Sequence, residues 1–272
     1  MSIKRVISGL IGFPIVALVL IFGNQIVIDI AFAIIAAMSF HEYSHAFKVS
    51  DKAKPLTWLG YLACVTIALI HVFPREYLML IIGAVVPIAI LLCFAQILIT
   101  KMKTTIIDAA VTLFGICYIV IFLMFMPIIR TAENGVFLIW YVMFASWGTD
   151  IFAYVCGKLI GKHKFSKISP NKTIEGCVGG TIGAVIMILI YTIIINNLCG
   201  MNINYVLVAG IGLILSLLSQ MGDFAASSIK RFTGIKDYSN LIPGHGGMLD
   251  RIDSIIFIAC LLYTSPSPRD AH

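Results

Sequence analysis

The chain has 272 residues, of which 60% are apolar and only 12% are Asp, Glu, Lys or Arg. That charged fraction is about half the usual share, and apolar runs of about 18 residues or more recur from end to end. The composition therefore excludes an ordinary soluble domain and predicts an all-α, multi-pass membrane protein.

Hydropathy predicts about nine transmembrane helices. The apolar spans lie near 6–23, 25–43, 56–73, 77–99, 105–129, 135–157, 174–197, 204–224 and 254–263. We expect the first span to be a retained helix, since no small-residue cleavage site stands out. The ninth is too short to cross and is followed by two prolines and several polar residues. We expect either a genuine polar C-terminus or a truncated last helix with a non-native tail at 264–272.

Basic residues set the expected orientation. If the N-terminus is cytosolic, 16 of the 19 Lys and Arg residues fall on the cytosolic side, and Arg75, Arg130 and Arg269 fall on the other. The positive-inside rule therefore predicts nine helices with the N-terminus in the cytosol. It places the glycine-rich stretch at 244–253 on the cytosolic side, where nucleotides are available.

The chemistry-bearing residues concentrate in the second half of the chain. We expect N-terminal transmembrane helices at 1–130 and a catalytic region at 131–263, with cytosolic loops at 158–173 and 225–253. The seven cysteines show no paired spacing and are interpreted as small apolar residues, not as disulfides or a metal knuckle.

Two aspartates, Asp150 and Asp223, sit in or at the end of apolar runs, where a carboxylate is costly and usually faces a cavity, a partner charge or an ion. Asp250 and Asp253 follow Asp223, and paired carboxylates beside phosphate oxygens suit Mg²⁺. The alternative is that these are helix-end residues reaching the membrane interface. Spacing alone leaves both interpretations open.

A cationic cluster alternates with the glycines and aspartates of the second loop: Lys230, Arg231, Lys236 and Arg251. Such a cluster can hold phosphates, or it can simply contact anionic lipid headgroups. Lys172 and Thr173 precede the seventh span, where free N–H groups could hold a phosphate or Thr173 could serve only as a helix cap. The stretch 157–163 lacks P-loop spacing, so a P-loop ATPase is not expected.

One competing motif is HEYSH at 41–45, which has the His-Glu-x-x-His form of membrane zinc proteases. No clear third ligand follows it. We favour an interfacial helix end for His41 and His45 and keep the protease, with Glu42 as its base, as a competing hypothesis.

Residues 227–253 read SxIKRxxxxKDxSxxIPxHGGMxDRID. This stretch resembles the signature of phosphatidate cytidylyltransferases, also called CDP-diacylglycerol synthases. DxxAYxxGKxxGK at 150–162 and ISPNKTIEGxxGG at 168–180 are similar to the same family. The N-terminal half is similar only in hydropathy and in IKRVISGL at 3–10. The HEYSH motif is a departure from the family pattern.

The resemblance implies an enzyme of phospholipid biosynthesis that transfers CMP from CTP to phosphatidate, giving CDP-diacylglycerol and pyrophosphate. It implies a site at the cytosolic face of a bacterial inner membrane. Two further hypotheses remain open: a CTP-dependent lipid or polyprenol kinase, and a transporter with intramembrane carboxylates as ion ligands. No nucleic-acid partner is expected, and a homodimer is compatible with the resemblance.

The resemblance and the residue chemistry together assign roles. Asp223 and Asp250 are expected to bind Mg²⁺, with room for a second cation, and loops from two segments are expected to converge on one triphosphate. Phosphate contacts are assigned to Lys172, Lys230, Arg231, Lys236 and Arg251. A tight backbone loop and a donor are assigned to Gly244, Gly246, Gly247 and His245. Supporting roles are assigned to Asp237, Asp253, Thr173, Ser227 and Asp150.

Overall fold

The computed structural model describes residues 14–166, 169–170, 172–241 and 246–264. Its regular structure in these ranges is helical, apart from isolated bridge residues such as the antiparallel pair Lys164 and Thr173. The described part of helix α1 covers 14–22. The following helices are α2 (Gln25–Val49), α3 (Thr57–Leu69), α4 (Leu78–Ile99), α5 (Ile106–Gly115), α6 (Phe122–Thr131), α7 (Gly135–Ile160), α8 (Ile174–Cys199), α9 (Tyr205–Thr233) and α10 (Leu249–Thr264). A 3₁₀ turn (Arg75–Tyr77) precedes α4, and a π-helical segment (Ile116–Ile121) joins α5 to α6.

Local sequence explains where several helices begin and end. The Asn24 side chain caps α2 by accepting a hydrogen bond from Val27 N at 2.9 Å. Thr105 and Asp108 form a reciprocal capping box at the start of α5. Helix α8 ends at Gly200, whose φ of +65° costs a glycine nothing.

Six helical stretches in the described residues are long and apolar enough to cross a membrane: Gln25–Val49, Leu78–Ile99, Ile106–Thr131, Gly135–Ile160, Ile174–Cys199 and Tyr205–Thr233. The protein is therefore an all-α integral membrane protein, as predicted. The expected span at 56–73 is instead a 13-residue helix, Thr57–Leu69. At 1.5 Å per residue that helix is about 20 Å long, less than the hydrocarbon core.

The predicted loops are longer than the observed ones. Helix α9 continues past the expected end at 224 to Thr233, so Lys230 and Arg231 lie in its last turns and not in a loop at 225–253. Helix α7 likewise extends to Ile160, which shortens the loop expected at 158–173. Hydropathy marks where the chain leaves lipid, but the helical hydrogen bonds continue beyond that point.

Contacts divide the chain into two compact units. Unit 1 comprises Met1–Glu133 and Ile229–Ile252, and its core is built around α2. The Phe40 ring packs so closely on Gly60 that a Cβ at that glycine would lie 1.9 Å from it. Tyr43 Oη donates a 2.9 Å hydrogen bond to the Val111 carbonyl. Close packing thus fixes α2 against α3, and the Tyr43 hydrogen bond fixes α2 against α5.

Unit 2 comprises Asn134–Ser228 and Asp253–His272. Helices α7 and α8 form its centre and approach closely along a line of small residues. A Cβ on Gly148 would lie 3.0 Å from the Ala184 Cα, and one on Gly180 would lie 2.7 Å from the Thr149 carbonyl. Small residues permit such backbone contact between membrane helices. Thr149 and Asp150 of α7 and Thr173 at the start of α8 line one cavity of this unit.

Candidate active site

In unit 1 a buried ion pair joins two residues of the signature segment, the name used below for residues 227–253. Lys230 Nζ lies 2.6 Å from Asp250 Oδ1, and the two side chains are 15% and 5% exposed. Asp250 Oδ2 accepts hydrogen bonds from Tyr238 N and Gly247 N, both at 3.1 Å. Three donors thus hold this carboxylate in one orientation. The end of α9 and the start of α10 therefore bring one lysine and one aspartate into direct contact.

The glycines of the signature segment allow a close backbone approach. Gly246 has a φ of +85°, in the left-handed region that favours glycine, and a Cβ there would lie 3.0 Å from Asp250 Oδ2. A Cβ on Gly247 would lie 2.5 Å from Glu42 Oε2. Both glycines therefore lie in close contact with carboxylate side chains, and their predicted role beside phosphates stays a prediction. Gly244 and His245 lie outside the described residues.

Glu42 belongs to this cluster, although its sequence context does not reveal that. Its buried carboxylate accepts hydrogen bonds from Ser239 Oγ at 2.5 Å, Met248 N at 2.9 Å and Leu249 N at 2.8 Å. These donors lie about 200 residues away in sequence, so no local pattern could reveal them. The available signal is weak, because Glu42 is one of several polar residues in this largely apolar helix, which also contains Asp29, His41 and His45.

His41 and His45 lie on the exposed side of α2, with parallel rings whose centroids are 6.4 Å apart. His41 Nδ1 is 2.7 Å from Tyr61 Oη. Glu42 faces the opposite way, toward the signature segment. The arrangement fits exposed helix-end residues better than a zinc protease.

Four more predicted site residues of unit 1 are exposed: Arg231, Lys236, Asp237 and Arg251. Arg231 also makes a further contact within the structure. Lys236 and Asp237 follow Gly234, which leaves α9 with a φ of +74°. Exposed cations at this position are accessible to an anionic ligand, which is compatible with the phosphate roles assigned to them.

Unit 2 contains a second lysine–aspartate pair. The Lys172 ammonium forms an ion pair with Asp223 Oδ2, and each side chain is about one quarter exposed. Lys172 Nζ also lies 4.7 Å from the centroid of the Phe224 ring, on which Phe165 stacks. An aromatic face beside an ammonium adds a cation–π attraction. The loop before α8 and the middle of α9 thus bring together two predicted site residues that are far apart in sequence.

A cavity of about 360 Å³ opens beside this second pair. Its polar lining includes Asp150, Lys158, Lys172, Thr173, Gln220 and Asp223. Gln220 donates to the Thr181 hydroxyl at 2.9 Å and to the Cys177 carbonyl at 3.2 Å, which fixes its amide. Asp150, which is assigned only a supporting role above, therefore shares a cavity wall with Lys172 and Asp223.

The loop before α8 is held by two side chains. Thr173 caps the helix by accepting a hydrogen bond from Gly176 N at 3.1 Å, so the helix-cap interpretation of this residue is observed. Glu175 accepts hydrogen bonds from His163 N and Lys162 N, and His163 Nδ1 lies 2.6 Å from its carboxylate. These contacts order the backbone that carries Lys172.

Asp253 is buried in unit 2, and its Oδ1 accepts from Ser254 N at 2.8 Å. Gly222 packs against its backbone, since a Cβ there would lie 2.2 Å from the Asp253 carbonyl. The structure therefore gives Asp253 a place in the packing of α9 on α10. Ser227 is half-buried near the end of the α9 portion of this unit.

The donors available for a divalent cation are single carboxylates. Across the described ranges, no group of three or more His, Cys, Asp or Glu side chains is arranged to hold a metal ion. Mg²⁺ is commonly bound through one or two carboxylates, with waters and substrate phosphates completing its shell. Asp223 and Asp250 each fit that mode, because each offers a hard oxygen beside a lysine that could bind the phosphate. Whether they bind one ion stays a prediction.

Sequence comparison places the chain in a family. Residues 3–266 match the cytidylyltransferase family. The chain belongs to this family. Over 164 residues it is 41% identical to the phosphatidate cytidylyltransferase of Staphylococcus aureus (strain COL), in a match covering 60% of this chain and 61% of the relative. The proteins of the same name from Staphylococcus saprophyticus and Staphylococcus haemolyticus are 42% and 40% identical, with the same coverage. The match thus spans about three fifths of each relative's length.

Proposed function

We propose that the protein transfers CMP from CTP to phosphatidate, yielding CDP-diacylglycerol and pyrophosphate. The observation that carries the proposal is the Lys230–Asp250 pair, buried and anchored to the backbone of the family signature. Relatives named phosphatidate cytidylyltransferase and membrane-spanning helices support the same reaction. One substrate is a lipid whose chains stay in the bilayer, so the reaction needs a polar site at membrane level.

The proposed chemistry is an in-line substitution. A phosphate oxygen of phosphatidate attacks the α-phosphorus of CTP, a new P–O bond forms, and the bond from the α-phosphorus to the bridging oxygen breaks as pyrophosphate leaves. The attacking oxygen is already ionised, so no strong general base is required. Positioning and neutralisation of negative charge then supply most of the rate enhancement.

The two lysine–aspartate pairs suit this charge problem. Each lysine can move its ammonium contact from the carboxylate to a phosphate oxygen, and each aspartate then has an oxygen available for a cation. Bound Mg²⁺ would neutralise charge on the triphosphate and on the leaving pyrophosphate. In this proposal Lys172 and Lys230 hold phosphates, Asp223 and Asp250 hold Mg²⁺, and the exposed Lys236 and Arg251 attract the anionic substrates.

The expected membrane placement belongs to the same proposal. Basic residues support a cytosolic N-terminus and a site on the cytosolic face, and the bacterial relatives support the plasma membrane. The proposal also includes about nine transmembrane helices and a homodimer. Cytosolic placement would give the site direct access to CTP.

The position of the label separates this function from a kinase and from a transporter. The purified protein is given phosphatidate, Mg²⁺ and CTP labelled at either the α- or the γ-phosphorus. We expect α-label in the lipid and γ-label in released pyrophosphate. Label from the γ-position in the lipid would indicate a kinase, and substrate flux into vesicles without CTP turnover would indicate a transporter. Either result contradicts the proposal.

A further inference from the structure

Glu42 lies on α2, in the N-terminal part of the chain, yet the three hydrogen-bond donors that the described residues supply to it all belong to the signature segment. Ser239 donates from one side of residues 242–245, and Met248 and Leu249 donate from the other. The side chain is 5% exposed as a residue, so water contributes little to its stabilisation. A buried carboxylate is costly unless donors surround it. Its position is therefore defined by the signature segment, and that of the segment by Glu42.

Glu42 and Asp250 hold the same two stretches of backbone. At the start of α10, Gly247 N donates to Asp250, while Met248 N and Leu249 N donate to Glu42. In the preceding stretch, Tyr238 N donates to Asp250 and the neighbouring Ser239 hydroxyl donates to Glu42. Two carboxylates thus bind adjacent donors on both stretches. A movement of either stretch away from Glu42 would also disturb the donors of Asp250.

The N-terminus of α10 favours this arrangement. The first N–H groups of a helix have no partner within the helix and carry a partial positive charge. Glu42 satisfies two of them from another helix. Gly247 permits the approach, since any Cβ there would collide with the Glu42 carboxylate.

We propose that Glu42 is a positioning residue that holds residues 238–239 and 247–249 so that Asp250 stays in its place beside Lys230 for catalysis. This inference rests on the proposed function for its catalytic part. Glu42 itself contacts the backbone and the Ser239 hydroxyl, and it acts on the reaction through Asp250. The HEYSH motif is thus assigned through its glutamate and not through its histidines.

The test compares Glu42→Gln and Glu42→Ala with wild type. Glu42→Gln keeps the size of the side chain but loses its charge and one acceptor oxygen, so it is the variant expected to fold normally. The matched control is Asp108→Asn, a buried carboxylate of the same unit that accepts from Lys54 N and Thr105 N and from none of the described residues of the signature segment. Hydrogen exchange is followed at the amides of 238–239 and 247–249, and CMP transfer is measured per folded molecule.

Both Glu42 variants are expected to speed exchange at these amides by about tenfold or more, because the opening equilibrium of the segment rises. The value of kcat is expected to fall by about 10- to 100-fold, the scale expected for small displacements of catalytic groups. The KM for phosphatidate should stay within about twofold, because Glu42 touches no substrate in this proposal. Asp108→Asn should change neither readout in this segment.

Unchanged exchange in both Glu42 variants would overturn the proposal. So would faster exchange with unchanged kcat per folded molecule, because Glu42 would then serve stability alone. A wild-type protein without CMP transfer would refute the proposed function independently. The exchange measurement would then still decide whether Glu42 orders the segment.

Discussion

Replacing Asp250 by asparagine tests the ion pair at the centre of the signature segment. The Asp250 side chain is 5% exposed and accepts hydrogen bonds from Lys230 Nζ, Tyr238 N and Gly247 N. A hydrogen bond to a charged group contributes about 1 kcal/mol more than one to a neutral group. Three such bonds predict that Asp250→Asn lowers the free energy of unfolding by about 3 kcal/mol.

A second substitution separates the interaction energy of the Lys230–Asp250 pair from the effects of the two single substitutions. Asp250→Asn leaves the Lys230 ammonium, which is 15% exposed, without its counter-charge. Adding Lys230→Met removes that buried charge. The double variant should therefore be less destabilised than the sum of the two single variants by at least about 1 kcal/mol. CMP transfer should remain lost in all three variants, because stability returns without the catalytic charges.

The assay is denaturant unfolding of the purified protein in one detergent, followed by circular dichroism at a fixed protein concentration. Asp51→Asn is the control, since the Asp51–Lys54 pair is a contact of 3.8 Å between side chains 84% and 75% exposed. Such a surface pair contributes about 0–1 kcal/mol. Strictly additive losses in the Lys230 and Asp250 cycle would refute the reasoning.

Three further predictions concern the glycines and the orientation. Gly247→Ala should reduce CMP transfer by about 10-fold or more, because its Cβ would lie 2.5 Å from Glu42 Oε2. Gly83→Ala, whose Cβ would have no atom within 4 Å, should not reduce it, and equal activities of the two variants would contradict the predicted effect of this contact. Gly222→Ala should lower the unfolding midpoint, because its Cβ would lie 2.2 Å from the Asp253 carbonyl. Gly210→Ala on the same helix should leave the midpoint unchanged or raise it, and the reverse order would contradict the close packing of Gly222 on Asp253. With a cytosolic N-terminus, the exposed Cys199 is expected on the outer face, so it should react in intact cells with a membrane-impermeant maleimide. Labelling only after lysis would indicate the opposite orientation.

The amino-acid sequence is sufficient to predict the helical membrane class and most of the residues in the two clusters. Few charged residues and long apolar runs are the composition that lipid surroundings require, so the membrane class can be recognised without knowledge of the fold. The pairing within each cluster is different. Nothing in the spacing of Lys172 and Asp223 indicates that they form an ion pair, because that contact depends on how α9 packs near the start of α8.

Glu42 shows the same limit more sharply. Its partners Ser239, Met248 and Leu249 are separated from it by 197, 206 and 207 positions. The motif HEYSH suggests a local metal site because helical spacing relates His41 to His45. Burial of the intervening glutamate is decided by long-range packing, which local periodicity does not report. The extension of α9 to Thr233 escapes prediction because hydropathy follows the surrounding solvent and not the helix.

In the proposed function, lysine–aspartate pairs supply the charges that CMP transfer to phosphatidate requires. The most direct test of this role measures transfer from CTP labelled at the α-phosphorus, with Mg²⁺, by wild type, Asp223→Asn, Asp250→Asn and the exposed-pair control Asp51→Asn. We expect labelled lipid from wild type and from the control, and a loss of at least about 100-fold in each of the two site variants. Transfer at the wild-type rate by both the Asp223→Asn and the Asp250→Asn variant would contradict the proposed roles of the two aspartates.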